Sequence, residues 1–260
     1  MAEEVEKLLE ESAAEMAGRL GLEKIATIRV YLASGEEMYR ILHEGKIPDW
    51  GAAFSELASQ TLGINVDLVL RSPRPLTIVV RHELSHLLLA QRVGNAPVPT
   101  WFMEGLAMIE AHEWTFSDEW HFMTMIGRRN LPYLEQLNGP FPGPADEASL
   151  YYGLSYVAVE ELLRDRPDAL MTLTAFLRDT GDFNGAFMST FGQTPYDFGS
   201  RLYVATYKKY KTPGVILNAA PYWLGFALLF VAVYAVKRVR TRRTLERWEE
   251  DEARRSRFLY

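Results

Sequence analysis

The chain has 260 residues, 48% of them apolar, and a formal charge of −6. That is enough for one large domain or two small ones with a substantial core. The acidic balance, with no basic stripe interleaved with aromatics in about the first 200 residues, argues against a nucleic-acid partner. The absence of cysteine excludes a disulfide framework, a thiolate metal site and a cysteine nucleophile.

In chain order, Val5, Leu8, Leu9, Ala13, Met16 and Leu20 recur at helical spacing, so residues 1–21 read as an amphipathic N-terminal helix closed by Gly21. This helix is acidic and has no apolar core of the kind an export signal carries. IATIRVYL (25–32) reads as a strand, and residues 36–44 as a short helix ended by Gly45 and Pro48. After a loop with Trp50 and Gly51 come AAFSELA and INVDLVL (64–70). The latter is rich in β-branched residues and reads as a second strand, broken at Ser72, Pro73 and Pro75. Leu76–Val93 is one apolar helix stopped by Gly94 and Asn95, and a second helix runs from about Thr100 to His112. The rest is helical in character: 117–127, 148–164 and 168–179, with NGPFPGPAD (138–146) as a loop and FGQTPYDFGSRLYVATYKKY closing the domain.

RHELSH (81–86) carries the chemistry. Residues i and i+4 share a helix face, so His82 and His86 point the same way and Glu83 lies one residue round from them. A catalytic zinc takes three protein ligands and keeps one position open. A third ligand six residues past the second histidine is ruled out, because Arg92 stands there. A glutamate on the next helix is the remaining template. Glu104 fits it: the chain reverses at Pro97 and Pro99, and the second helix runs back beside the first. Glu110 and His112, about two turns further along, are rival ligands. His43 and His121 have no supporting spacing.

HELSH followed by PTWFMEGLA resembles the gluzincin zinc metallopeptidases, and more narrowly the peptidase MA-like group, in which Trp-x-x-Glu-Gly-x-Ala follows His-Glu-x-x-His. TIRVYL, LPYLEQLNGPF, YYGLSYVAVEEL and FGQTPYDF extend the likeness over roughly residues 20 to 205. The resemblance implies an α+β, zincin-like (thermolysin-like) fold, with a small mixed sheet, an active-site helix and a helical C-terminal half. It implies Zn2+ held by His82, His86 and Glu104, with Glu83 as general base. It also implies an oxyanion donor from the helical half: Tyr152, in Tyr-x-x-Ser with Ser155, with Tyr151 as alternate. A peptide or protein substrate would add along a strand edge, supplied by INVDLVL or by Gly51-Ala52-Ala53.

Val215 to Val236 carries no charge, over about 22 residues and so about 33 Å of helix, enough to cross the ~30 Å hydrocarbon core. The expected organisation is therefore an N-terminal helix (1–21), a metallopeptidase domain (22–212), a transmembrane helix (213–238) and a charged tail (239–260). Lys237, Arg238, Arg240, Arg242 and Arg243 outweigh Lys208, Lys209 and Lys211. The bias places the tail in the cytoplasm and the catalytic domain outside, an export signal having been removed. Two rivals use the same residues. One is a non-catalytic, membrane-anchored binding domain on this fold, although nothing is missing from its ligand set. The other is an intramembrane metalloprotease, against which the apolar run around the histidines is only about 15 residues long. That run is also interrupted by charge, and Asn138 stands where the second motif needs an aspartate.

Overall fold

A computed structural model describes residues 2–35, 52–141, 145–166 and 168–256. The helix expected over 36–44, the loop through Trp50 and Gly51, and His43 lie outside the described residues. The chain is mostly helical with a small sheet. In order it runs α1 (Ala2–Leu20), β1 (Arg29–Ala33), β2 (Ala53–Glu56), β3 (Thr61–Asn65), α2 (Val66–Arg71), α3 (Leu76–Val93), α4 (Thr100–Glu110), α5 (Phe116–Arg128), a 3-10 turn (Leu134–Leu137), α6 (Ala145–Leu163), α7 (Ala169–Thr180), α8 (Phe183–Phe191) and α9 (Pro195–Ser256).

Among the described residues the sheet has three strands in the order β1-β3-β2. β1 runs parallel to β3 with Tyr31 beside Gly63, and β2 runs antiparallel to it with Phe54 beside Gly63. Every residue of β3 is buried, as befits a central strand. α3 lies against this sheet: Val80 and Leu87 join Leu62, Ile64 and Val5 in one apolar cluster. Its other side, with Leu84, Leu88 and Leu89, faces the larger core built from α4 to α9, where Trp101, Phe102, Phe122 and Phe187 are fully enclosed. α1 contributes Val5 to the first cluster and Met16 and Leu20 to the second.

The structure corrects two expectations. INVDLVL is not a strand through residue 70. β3 ends at Asn65, whose side chain accepts from the Leu68 amide and starts α2. An N-cap with Asp67 in the first turn outweighs the β preference of a short apolar run. Nor can that segment serve as a free edge, because β3 is paired on both sides; β2, which begins at Ala53, is an edge among the described strands. The last helix contains both Pro213 and Pro221. α9 runs unbroken for 62 residues, about 93 Å. It is the one described helix long and apolar enough to cross a membrane, and none of its most apolar window is buried.

α4 meets α6 along an unusually close seam. A Cβ at Gly105 would sit 2.2 Å from the Ser155 carbonyl oxygen and 2.7 Å from a Val159 methyl. The first neighbour is backbone and cannot give way, so only glycine allows this approach. Gly105→Ala is therefore expected to destabilise the protein by about 1–3 kcal/mol, as overpacking of a filled interior does. Chemical denaturation, comparing midpoints at unchanged slope, checks this.

Candidate metal centre

α3 and α4 bring together three side chains that could hold a metal ion. The turn through Pro97 and Pro99 returns the chain so that α4 lies beside α3, and Glu104 comes opposite the histidine face. Its Oε2 lies 3.4 Å from His82 Nε2 and 3.8 Å from His86 Nε2. One donor atom from each of the three residues lies within 4.8 Å of the others. Two donors bound tetrahedrally at ~2.0–2.1 Å stand about 3.4 Å apart, so this spacing suits a single small cation with little rearrangement. Two imidazoles and a carboxylate are also a donor set that zinc accepts. The imidazole rings meet edge to face, with centroids 5.0 Å apart. Glu83 is partly buried on the same helix and makes no hydrogen bond or ion pair to the described residues.

The rival ligands are turned elsewhere. The Glu110 carboxylate pairs with Arg19 of α1 at 3.0 Å, and burial pushes its pKa up. His112 follows α4 in a left-handed conformation, φ 52°. His121 is exposed on α5. None of these belongs to the His82–His86–Glu104 group.

Two residues of this site escaped the sequence reading. Glu113 accepts from His82 Nδ1 at 2.8 Å, and Arg74 pairs with the other oxygen of the same carboxylate. This fixes the His82 ring with Nε2 turned to the ligand cluster, an arrangement metal-ligating histidines commonly have. His86 differs: its Nδ1 is buried with no partner among the described residues. Glu113 carries no periodic signature. It lies in the turn after α4, and only its place at the end of the EAHE run hinted at it.

The electrostatics follow from crowding. Burial disfavours a charged His82, but hydrogen bonds to Glu104 and Glu113 outweigh it and raise its pKa to about 10. Burial likewise works against both carboxylates. Glu104 is nevertheless held below the usual range by His86 and His82, and Glu113 by His82 and Arg74. Tyr152, on α6, is pushed up by burial and by the negative charges of Glu104, Glu113 and Glu83, so it remains a phenol with a proton to donate. Its ring stands edge-on to Phe141, centroids 5.0 Å apart. Tyr151 packs instead against the main core. A separate cavity of about 710 Å³, walled by the stacked Trp114 and Tyr156 and by Arg201 and Thr206, shares no residue with this group.

The helix pair thus turns two imidazoles and a carboxylate toward one point, a group that could hold a metal ion. A model of the peptidase MA superfamily matches residues 11–200, most of the chain and all of this site. The chain belongs to that superfamily. No curated protein matches it.

Two outcomes follow from Glu113 and from the His82 proton. Glu113→Ala should weaken metal binding about 10- to 100-fold while Glu113→Gln retains part of it, as read by competition with a chelator. His82 must lose its proton to ligate, so apparent metal affinity should climb about tenfold per pH unit until about pH 10. The metal-free protein should show the opposite sign. Stability from the His82 ion pairs is complete below the ordinary histidine pKa of ~6.5 and is lost as pH rises through about 10. Calorimetric titration in buffers of different ionisation enthalpy measures the proton released.

Proposed function

We propose that this protein is a membrane-anchored, zinc-dependent endopeptidase. The observation that carries the reading is the convergence of His82, His86 and Glu104 within 4.8 Å, with Glu83 beside them on α3. Membership of the peptidase MA superfamily supports the same class of reaction.

A Zn2+ held by these three residues would supply Lewis acidity, polarising the scissile carbonyl and bringing the pKa of water to about 7. The protein's own groups do the rest. Glu83 accepts the proton of the attacking water and hands it to the departing amine. The Tyr152 hydroxyl, kept protonated by burial and by its acidic neighbours, donates to the oxyanion that develops on the carbonyl. Glu113 and Arg74 keep the His82 ring from turning. The substrate lies extended along the edge of β2 that is unpaired among the described strands, beside α3.

In this reading residues 22–212 form the zincin-like peptidase body, residues 213–238 the span, and 239–260 a cytoplasmic tail. The domain then stands outside, by the excess of basic residues after the span. The exposed apolar surface of α9, with Phe226 at 65% and Phe230 at 76% accessible, is far more than a water-soluble helix tolerates and suits lipid.

The full chain, assayed on casein with its metal content measured, separates an enzyme from a binding domain that kept the fold. Wild type should hold zinc and cleave. Glu83→Gln should hold as much zinc and lose about 10²–10⁴-fold in rate; unchanged cleavage in that variant would end the reading. Tyr152→Phe should lower kcat by about 10²-fold with KM little changed, whereas Tyr151→Phe should not.

A further inference from the structure

α5 connects the metal centre to the base of the span. Its N-cap, Thr115, follows Glu113, the residue bonded to His82, by two positions. Its C-terminal turns are locked to α9 where the apolar stretch begins. A Cβ on Gly127 would lie 2.3 Å from the Gly214 carbonyl carbon, and one on Gly214 2.1 Å from the Met123 carbonyl oxygen, so the two backbones touch through paired glycines. Asn218 Nδ2 donates to the Thr124 carbonyl at 2.9 Å, and Arg128 donates to Asn218 Oδ1. Lys211 Nζ caps the end of α5 through the carbonyls of Ile126 and Arg129. Higher up, the Tyr210 hydroxyl donates to Glu119 at 3.1 Å. Contacts thus advance in step along both helices, Glu119 with Tyr210 and Arg128 with Asn218, so α5 and α9 descend together.

This fixes two lengths. Gly214 and Asn218 are engaged by α5, so the part of α9 free to meet lipid starts at about residue 219. From there to Val236 is about 27 Å, close to one hydrocarbon thickness once Lys237 and Arg238 snorkel. In the other direction the 13 residues of α5 span about 20 Å. α9 continues through both levels without a break, and no flexible linker intervenes.

We propose that α5 and α9 form a strut holding the active site about 20 Å above the bilayer, and that the substrates are membrane-anchored polypeptides cut close to the membrane surface. This rests on the peptidase reading and on α9 spanning the bilayer. An extended chain rises ~3.3–3.6 Å per residue, so the favoured scissile bond lies about six residues from the substrate's own span, more where the chain leaves obliquely. A bond at that height in a co-anchored chain meets the cleft at millimolar effective concentration. One that cannot reach that height meets it at almost none.

The test uses the full chain in liposomes with a single-span reporter whose exposed part is a long unstructured casein segment on the same face. Cut positions are read by mass spectrometry, beside free casein as soluble probe. Cuts in the anchored reporter should cluster within about ten residues of its span, while free casein is cut throughout. A glycine–serine insertion of about a dozen residues between Ala219 and Ala220 should move that cluster outward and spread it, leaving turnover of free casein unchanged. Cuts scattered evenly along the anchored segment, or a cluster the insertion does not move, overturn the strut while leaving the peptidase intact. Cleavage of neither probe overturns the peptidase reading, and the strut's substrate with it.

Discussion

Glu104 and Glu113 approach the His82 ring from opposite sides, and two carboxylates taken largely out of water need positive charge between and behind them. Without a metal the cation between them is the imidazolium itself, which is why the ring holds its proton well above the ordinary histidine range. A divalent ion held by His82, His86 and Glu104 would supply that positive charge in place of the Nε2 proton, with His82 Nδ1–H still donating to Glu113. Proton and metal compete for one hole in the charge distribution. His82, His86 and Glu104 therefore stand within a few ångströms of one another on the strength of their own ion pairs, and Arg74 completes the balance by neutralising the outer oxygen of Glu113.

That convergence depends on packing some distance from the site. Glu104 reaches the histidine face only if α4 lies at one height beside α3, and α4 is seated by its neighbour α6. Gly105 lets the α6 backbone approach at Ser155, and Tyr152 stands one turn before Ser155 on the same helix. One close contact thereby sets the carboxylate and the phenol together. The glycine after the ligand in Glu-Gly-x-Ala has a steric reason, independent of metal chemistry: the next helix passes where its side chain would be.

Much of this was legible in the sequence, for reasons that differ by element. α3 could be read to its last residue, because apolar periodicity, Pro75 before it and Gly94 after it all agree. Glu104 was legible because a short proline turn leaves few ways to pack two successive helices. Glu113 was not, since a residue in a turn after a left-handed His112 has no period to betray it. β3 and α2 were merged because Ile64, Val66, Leu68 and Val69 fit either structure, and one capping Asn65 decides. That α9 continues through Pro213 and Pro221 was not legible, because proline forfeits a backbone hydrogen bond. The tertiary contacts of Gly214 and Asn218 with α5, which hold the helix together beside Pro213, leave no trace in local sequence.

The N-terminal helix is part of the same construction rather than an appendage. Arg81 precedes the first ligand, and its guanidinium joins three elements. It donates to the Glu110 carbonyl at the end of α4 at 2.7 Å, and to Ser12 and Glu15 of α1 at 3.3 and 3.1 Å. Arg19 of α1 then neutralises the buried Glu110. Met16 and Leu20, on the same helix, are sealed into the core beside Leu88 and Val93. Removing α1 would take Arg19 from the buried Glu110 and leave Arg81 with fewer acceptors, one residue from His82. Because breaking a buried pair costs more than the pair contributes, the N-terminal helix bears on the metal centre without touching it. The superfamily match accordingly begins within α1, at residue 11, and not at the first strand.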